Sequence, residues 1–340
     1  MLPVLAERVR GTKFLEHPVR TIVNPPESTG MGFWSVNPYV GCELGCTYCY
    51  ARYAHRYAAE RVRDAGALAD GASRDLLTPA GLEAFEHRIL VKSHRAVLAA
   101  LDRDLARVRR RVASDGPQML LIGSATDPYQ PAERQYQVTR TILRRLLDER
   151  GLRIGLITKS PLVVRDAALL ARLSRHHAIS VYVSLISADV RIIKLFEARS
   201  AMPHARLRAL ERLTEAGVRT GLIVAPILPG ITDGTRQLRQ LLRAAKRAGA
   251  QFARPEPLRL YPDTRRRFLP IVVRHFPELA ARYRAAFGDG WNVPEAYATA
   301  VRKRFRRIAK QCGIAGTDED DAPVVPAVPA QLSLFAPRPA

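Results

Sequence analysis

Between residues 118 and 260, short apolar runs alternate with longer segments whose apolar positions recur every three to four residues. The runs 118–123, 153–158, 179–186, 219–226 and 251–258 are dominated by Val, Ile, Leu and other apolar residues, and predict strands. Each is followed by Gly, Pro, Ser or Asp punctuation, and then, for most, by a helical pattern: 132–147, 163–173, 206–216 and 235–248. An earlier run at 34–39 supplies a sixth strand. Strands apolar along their whole length and separated by helices predict parallel βα units with both faces covered. The fold class expected is therefore α/β, an open partial (β/α)6 barrel of the TIM type. Its chemistry should gather at the carboxyl ends of the strands.

The rest of the chain reads as additions to that barrel. Residues 1–29 form an N-terminal extension to a core spanning 30–260. Within the core, 61–87 has weak periodicity and reads as an insertion or long loop. Residues 261–316 are mostly helical and arginine-rich, and read as a C-terminal extension. After Gly316 the run Asp318, Glu319, Asp320, Asp321 gives way to a segment punctuated by Pro323, Pro326, Pro329, Pro337 and Pro339. Such a tail buries little apolar surface, so 317–340 is expected to be disordered.

Hydrophobic residues make up 47% of the 340, ample for a core. No apolar run approaches a membrane span, and the N-terminus lacks a basic segment followed by a long apolar one. A cytoplasmic protein with no membrane partner is expected. The net charge is +22, and without the acidic tail 53 bases face 28 acids, a net of +25 over residues 1–317. That excess attracts polyanions and points to DNA or RNA. The alternative is compositional: the bases are overwhelmingly Arg, and several basic runs sit on helix faces where solvation accounts for them.

Three of the four cysteines fall in one stretch, Gly41-Cys42-Glu43-Leu44-Gly45-Cys46-Thr47-Tyr48-Cys49, with the spacing C-x3-C-x2-C. Soft thiolates select iron–sulfur clusters, zinc or Cu(I). A structural zinc usually takes four protein ligands and would need a fourth from elsewhere. Three thiolates suit a [4Fe-4S] cubane with one iron left open. Cys312 stands alone, and reads as an ordinary thiol. So few cysteines make no disulfide framework, and an oxygen-sensitive cluster calls for a reducing compartment.

The spacing, with Tyr48 directly before the third cysteine, resembles the radical S-adenosylmethionine (SAM) superfamily, whose open iron binds the amino and carboxylate groups of SAM. On that resemblance the strand ends acquire roles. The turn Gly123-Ser124-Ala125-Thr126-Asp127-Pro128 offers a hydroxyl and a carboxylate for the SAM ammonium. A helix N-cap with turn prolines explains Ser124 or Asp127 equally well. Lys159 can pair with the SAM carboxylate, and Ser184 can reach a ribose hydroxyl. Tyr48, Thr126, Asp127, Lys159 and Ser184 are thus the expected cofactor contacts, and Cys42, Cys46 and Cys49 the metal ligands.

Residues 30–260 look more specifically like the spore photoproduct lyase-like branch. The matching text is Asn37-Pro38-Tyr39, Gly41-Cys42, Cys46-Thr47-Tyr48-Cys49-Tyr50-Ala51-Arg52, Thr126-Asp127-Pro128-Tyr129-Gln130-Pro131 with Glu133, Thr158-Lys159-Ser160, Val183-Ser184, Phe196-Glu197 and Ala225-Pro226-Ile227-Leu228-Pro229-Gly230. The resemblance implies reductive SAM cleavage, fed by a reductant such as flavodoxin or ferredoxin, and a 5′-deoxyadenosyl radical acting on DNA. One departure stands out. Ser124 occupies the position of the lyase's hydrogen-donating cysteine, and an O–H bond is a poor donor to a carbon radical. Repair or modification of DNA is the leading expectation. An RNA- or peptide-modifying radical SAM enzyme is a second, and a non-enzymatic, clamp-associated iron–sulfur DNA-binding protein a third.

The tail carries a further signal. Gln331, Leu332, Ser333, Leu334 and Phe335 resemble the pentapeptide that docks bacterial polymerases and repair proteins on the sliding clamp. Leu and Phe anchors fit a hydrophobic pocket while Gln fixes register. An apolar tail segment can alternatively fold back onto the barrel.

Overall fold

The computed structural model describes residues 4–7, 11–29, 32–54, 85–115, 119–288 and 290–314. The insertion at 61–87, apart from its last three residues, and the whole tail with Gln331 to Phe335 lie outside them. In chain order the described strands are β1 (Val4–Glu7), β2 (Lys13–His17), β3 (Val23–Asn24), β4 (Trp34–Val36), β5 (Tyr39–Val40), β6 (Arg88–Lys92), β7 (Met119–Ile122), β8 (Arg153–Thr158), β9 (Ala178–Ser184), β10 (Thr220–Ile227) and β11 (Phe252–Pro257).

β4, β7, β8, β9, β10 and β11 pair parallel in that order, and β3 adds antiparallel to β4 at one edge. These are the six strands of the expected partial barrel, with β3 and β11 as its edges. Residues such as Ile154, Leu156, Val181, Leu222 and Val224 alternate onto the outer face, where helices cover them. Tyr182, Ile223 and Phe252 fill the inner face with Ile157 and Ala225. The filling depends on Gly221. A Cβ there would lie 2.3 Å from Phe252 Cδ2 and 2.5 Å from the Phe252 carbonyl oxygen, so any larger residue displaces β11.

Helices Pro262–His275, Pro277–Phe287 and Glu295–Gln311 follow the last strand. Phe268, Tyr283, Phe287, Val301 and Phe305 on these helices are buried in one cluster with Leu222, Leu238 and Leu241. Each such side chain taken from water contributes about 1.5–3 kcal/mol, so these helices are built into the molecule.

Two features depart from the sequence reading. Segment 132–147 is two helices, Glu133–Tyr136 and Val138–Leu146, broken at Gln137, whose φ is 46°. The buried Glu133 carboxylate accepts from Thr139 N at 2.9 Å and Arg140 N at 3.1 Å, capping the second helix from the first. The other feature is a second, four-stranded sheet in the order β1-β2-β6-β5, joining the N-terminal segment to residues beyond the insertion. β2 and β6 run parallel from Lys13–Arg88 to His17–Lys92. β5 belongs to this sheet, so the cysteine loop leaves from it and not directly from β4.

Candidate functional site

The cysteine loop, entered from β5, is clasped by segments that follow three different barrel strands. After β7, Thr126 Oγ1 and Gln130 Nε2 both donate to the Gly41 carbonyl, at 2.7 and 3.2 Å. Gln130 Oε1 accepts from Glu43 N at 2.9 Å, and Glu43 Oε1 accepts from Ala132 N at 2.6 Å. After β9, the Phe196 carbonyl accepts from Thr47 N at 3.0 Å. After β11, Thr264 Oγ1 donates to the Cys49 carbonyl at 3.1 Å. Within the loop Gly45 adopts φ 55°, and a Cβ there would sit 3.2 Å from Glu86 Cβ. The loop is thereby fixed at the carboxyl ends of the parallel strands.

Cys42 and Cys46 are buried, Cys49 is half-buried, and all are free thiols. Burial pushes all three thiols up, Cys46 to about 12. After burial, the charges of Asp127, Cys49 and Cys46 raise Cys42 further. Lys159 and Arg206 counteract the rise at Cys46; Arg52 and Lys159 do so at Cys49. The backbone N–H of Leu44 favours the Cys42 thiolate and that of Ala51 the Cys49 thiolate, while Cys46 Sγ makes a long contact with Ser200 Oγ at 3.8 Å. No group of three or more His, Cys, Asp or Glu among the described residues is arranged around a single metal ion. A cubane sets a different requirement, because each thiolate binds its own iron. Three soft donors, with backbone N–H groups and cations beside them, fit such a cluster.

Beside Cys46 lies a charged network. Lys159, just past β8, donates from Nζ to Ser184 Oγ at the end of β9 at 2.8 Å. The same Nζ is 3.6 Å from Glu197 Oε1 and 5.7 Å from the Tyr48 ring centroid. Glu197 is fully buried and accepts from the Tyr48 hydroxyl and from Arg206, which is also fully buried. Arg206 further donates to the Ser184 and Ala201 carbonyls at 2.8 and 2.7 Å. Burial opposes the Glu197 charge, but Arg206 and then Lys159 outweigh it and hold the carboxyl below its usual range. The structure thus brings Tyr48, Lys159 and Ser184 together beside the second cysteine.

Thr126 and Asp127 are placed differently. Thr126 spends its hydroxyl proton on the cysteine loop. Asp127 Oδ1 accepts from Tyr129 N at 2.9 Å and Thr158 Oγ1 at 2.7 Å, while Oδ2 accepts from Lys159 N at 2.7 Å. These bonds tie the end of β7 to the end of β8, the turn-building role open to Asp127 from sequence. Ser124 is buried; its hydroxyl accepts from Asn37 Nδ2 at 3.2 Å and its carbonyl from the Tyr50 hydroxyl. Cys312 is remote. It caps the last helix beside Gly313, whose Cβ position is 3.7 Å from Lys246 Cε. Lys246 lies in the last turn of helix Thr235–Arg247, which returns from the carboxyl end of β10 to the amino end of β11.

Sequence reasoning did not give roles to Glu197 or Arg206, nor to a charged pair inside the barrel. Thr158 pairs with Val183, Ser184 with Ile223, and Ile223 with Arg254. Arg254 therefore shares the inner face and the level of Lys159 and Ser184. Its Nε is 3.0 Å from Glu256 Oε1, and both side chains are about a quarter exposed, at 23% and 27%. The signal was present in Phe252-Ala253-Arg254-Pro255-Glu256-Pro257: two charges spaced by two in an otherwise apolar strand share one face.

The family model described as the Radical SAM superfamily matches residues 36–242. Uncharacterized proteins of Mycobacterium tuberculosis and Mycobacterium bovis are 31% identical over 336 residues, covering 98% of this chain and 91% of theirs. An uncharacterized protein of Methanocaldococcus jannaschii is 25% identical over 211 residues, 62% of this chain and 66% of its own length. Among solved structures, a substituted spore photoproduct lyase with bound AdoMet and dinucleoside spore photoproduct superposes with a TM-score of 0.58 at 15% identity, over 88% of this chain and 79% of that one. Spore photoproduct lyase complexed with the dinucleoside spore photoproduct gives 0.59 at 16%, with the same coverage. At such identities the likeness is one of fold. No described helix is long and apolar enough to cross a membrane.

Proposed function

The chain belongs to the radical SAM superfamily, whose members use a [4Fe-4S] cluster and SAM, and we propose that it reductively cleaves SAM to a 5′-deoxyadenosyl radical that repairs or modifies DNA. The observation that carries the reading is the cysteine loop fixed at the carboxyl ends of six parallel strands, with Lys159 and Ser184 beside it. When bound, the cluster supplies the electron that breaks a C–S bond of SAM and an open iron for its amino and carboxylate groups.

The chain's own residues divide the remaining work. Cys42, Cys46 and Cys49 hold the cluster. Lys159, held 3.6 Å from Glu197 and steered by Ser184, offers an ammonium to the SAM carboxylate. Ser184 then has its hydroxyl free for a ribose. Arg206 locks the Ser184 backbone and Glu197 in place, so neither drifts when the cofactor enters. Arg254 and Glu256 present a donor fork and an acceptor from the inner face, suited to a phosphate or a base edge.

Support for DNA comes from the +25 charge outside the tail, the fold shared with a lyase solved with a dinucleoside photoproduct, and the clamp-like segment Gln331 to Phe335. Ser124 and the remote Cys312 weigh against photoproduct cleavage as such, because no described thiol beyond the cluster ligands stands at the site. The reading places the enzyme in a reducing cytoplasm, supplied by a flavodoxin- or ferredoxin-type donor.

The test is anaerobic turnover of the reconstituted protein with dithionite, SAM and, in parallel, undamaged DNA, dimer-bearing DNA, RNA or peptide. DNA should stimulate 5′-deoxyadenosine release and change in mass. Stimulation by RNA or peptide alone would replace the DNA assignment. A peptide of residues 329–337 should bind a bacterial sliding clamp at micromolar Kd, roughly −8 kcal/mol. Alanine at Leu334 and Phe335 should abolish that complex.

A further inference from the structure

Arg52 lies three residues beyond Cys49, in the 3-10 turn Tyr50–Tyr53 that Cys49 opens. Arg52 is only 5% exposed. Its Nη1 donates to Glu86 Oε2 at 2.7 Å, and the guanidinium carbon lies 5.5 Å from the Phe85 ring centroid. The other Glu86 oxygen accepts from Arg267 at 2.6 Å, so Glu86 cannot follow Arg52 if the latter turns. Burial opposes the Glu86 charge, but Arg52 and Arg267 hold its carboxyl below the usual range.

With one corner of the fork anchored, the rest of the guanidinium is idle. Both Nε and Nη2 are buried and have no hydrogen-bond partner among the described residues. Buried orphan donors are rare in native interiors, and a charged one costs more than a neutral one. Two on a single, rigidly held side chain call for an acceptor that arrives with something bound. The direction of that acceptor follows from what holds Arg52. The carbonyl of Phe85, the ring it stacks on, accepts from Cys42 N at 3.1 Å, and Glu86 Cβ lies 3.2 Å from the Cβ position of Gly45, so the guanidinium is held against the cysteine loop.

We propose that Arg52 donates through Nε–H and Nη2–H to the iron–sulfur cluster at its Cys49 corner and so raises the cluster's reduction potential, with Glu86 positioning the fork. The inference rests on the cluster assignment above. Hydrogen bonds to cluster sulfurs and a nearby positive charge both stabilise the added electron, and are among the levers by which proteins set such potentials. Glu86 acts only through Arg52, and is a positioning residue.

The test is a redox titration of the full-length, anaerobically reconstituted protein, followed by electron paramagnetic resonance of the reduced cluster in the absence of SAM. Arg52→Gln should keep the iron content and shift the midpoint potential to a more negative value, with altered g-values. Arg52→Lys, which keeps the charge and loses the fork, should shift it less, and serves if the glutamine variant fails to fold. Glu86→Gln should change the g-values with Arg52 intact. An unchanged potential and spectrum in both Arg52 variants at full iron content would overturn the inference while leaving the cluster assignment standing. An effect that emerges only when SAM is added would overturn it too, assigning the idle donors to the SAM carboxylate. Wild-type protein that takes up no iron would remove the cluster assignment, and this inference with it.

Discussion

Replacing Arg206 with methionine would strand the Glu197 carboxylate in the interior. Both side chains are fully buried and bonded to each other, and Arg206 also satisfies the carbonyls of Ser184 and Ala201. Breaking a buried pair by removing one partner costs about 3–5 kcal/mol, because the remaining charge has lost its compensation. Lys159, 3.6 Å from Glu197 Oε1, still offers a countercharge, so the lower end of that range is expected. At about 2.1 cal/mol/K per residue, a folded domain of about 300 residues has an unfolding entropy near 0.6 kcal/mol/K, so about 3 kcal/mol lowers Tm by ~5 °C. The assay is an anaerobic thermal melt of the reconstituted protein at a fixed scan rate. The double variant Arg206→Met, Glu197→Leu removes both charges and should recover most of the loss. A single variant that melts like the wild type would refute the reasoning. So would a double variant that melts below the single one.

Alanine at Cys42, Cys46 or Cys49 should abolish the brown chromophore, whereas Cys312→Ala, at the far end of the barrel, should leave it; ultraviolet–visible spectra of each reconstituted variant decide this. Lys159→Ala should weaken SAM binding by about 1.5–3 kcal/mol, the worth of a hydrogen bond to a charged group, as read by calorimetry on iron-loaded protein. Normal affinity in that variant would confine Lys159 to its bonds with Ser184 and Glu197. DNA binding should fall steeply with salt as phosphate contacts release counterions, and a flat dependence would assign the +22 charge to composition.

The barrel was legible because its signals are local. Strand 153–158 was bounded to the residue, and the other five within a few, since each apolar run ends in Gly, Pro, Ser or Asp before a helix begins. The three cysteines were legible for the same reason: spacing within nine residues needs no tertiary knowledge. What escaped depends on distant partners. The β2–β6 pairing joins Lys13 to Arg88 across most of a hundred residues, in strands too short to stand out from loops. The break at Gln137 depends on where one carboxylate points. Arg206 only opened the 206–216 helical pattern and Glu197 stood only in the matching text, neither with a role, because nothing local tells a solvated charge from one neutralised by a partner nine residues away. Asp127 shows the converse case: sequence offered a cofactor contact or a turn, and its three donors now carry the turn.

The most direct measurement is release of 5′-deoxyadenosine and methionine from SAM by the full-length protein, reconstituted anaerobically and reduced with dithionite, followed by mass spectrometry. Wild type and Cys312→Ala should form both products, and Cys46→Ala should form neither. Wild-type protein that holds zinc in place of iron, or that carries a full cluster and leaves SAM intact, would contradict the radical chemistry.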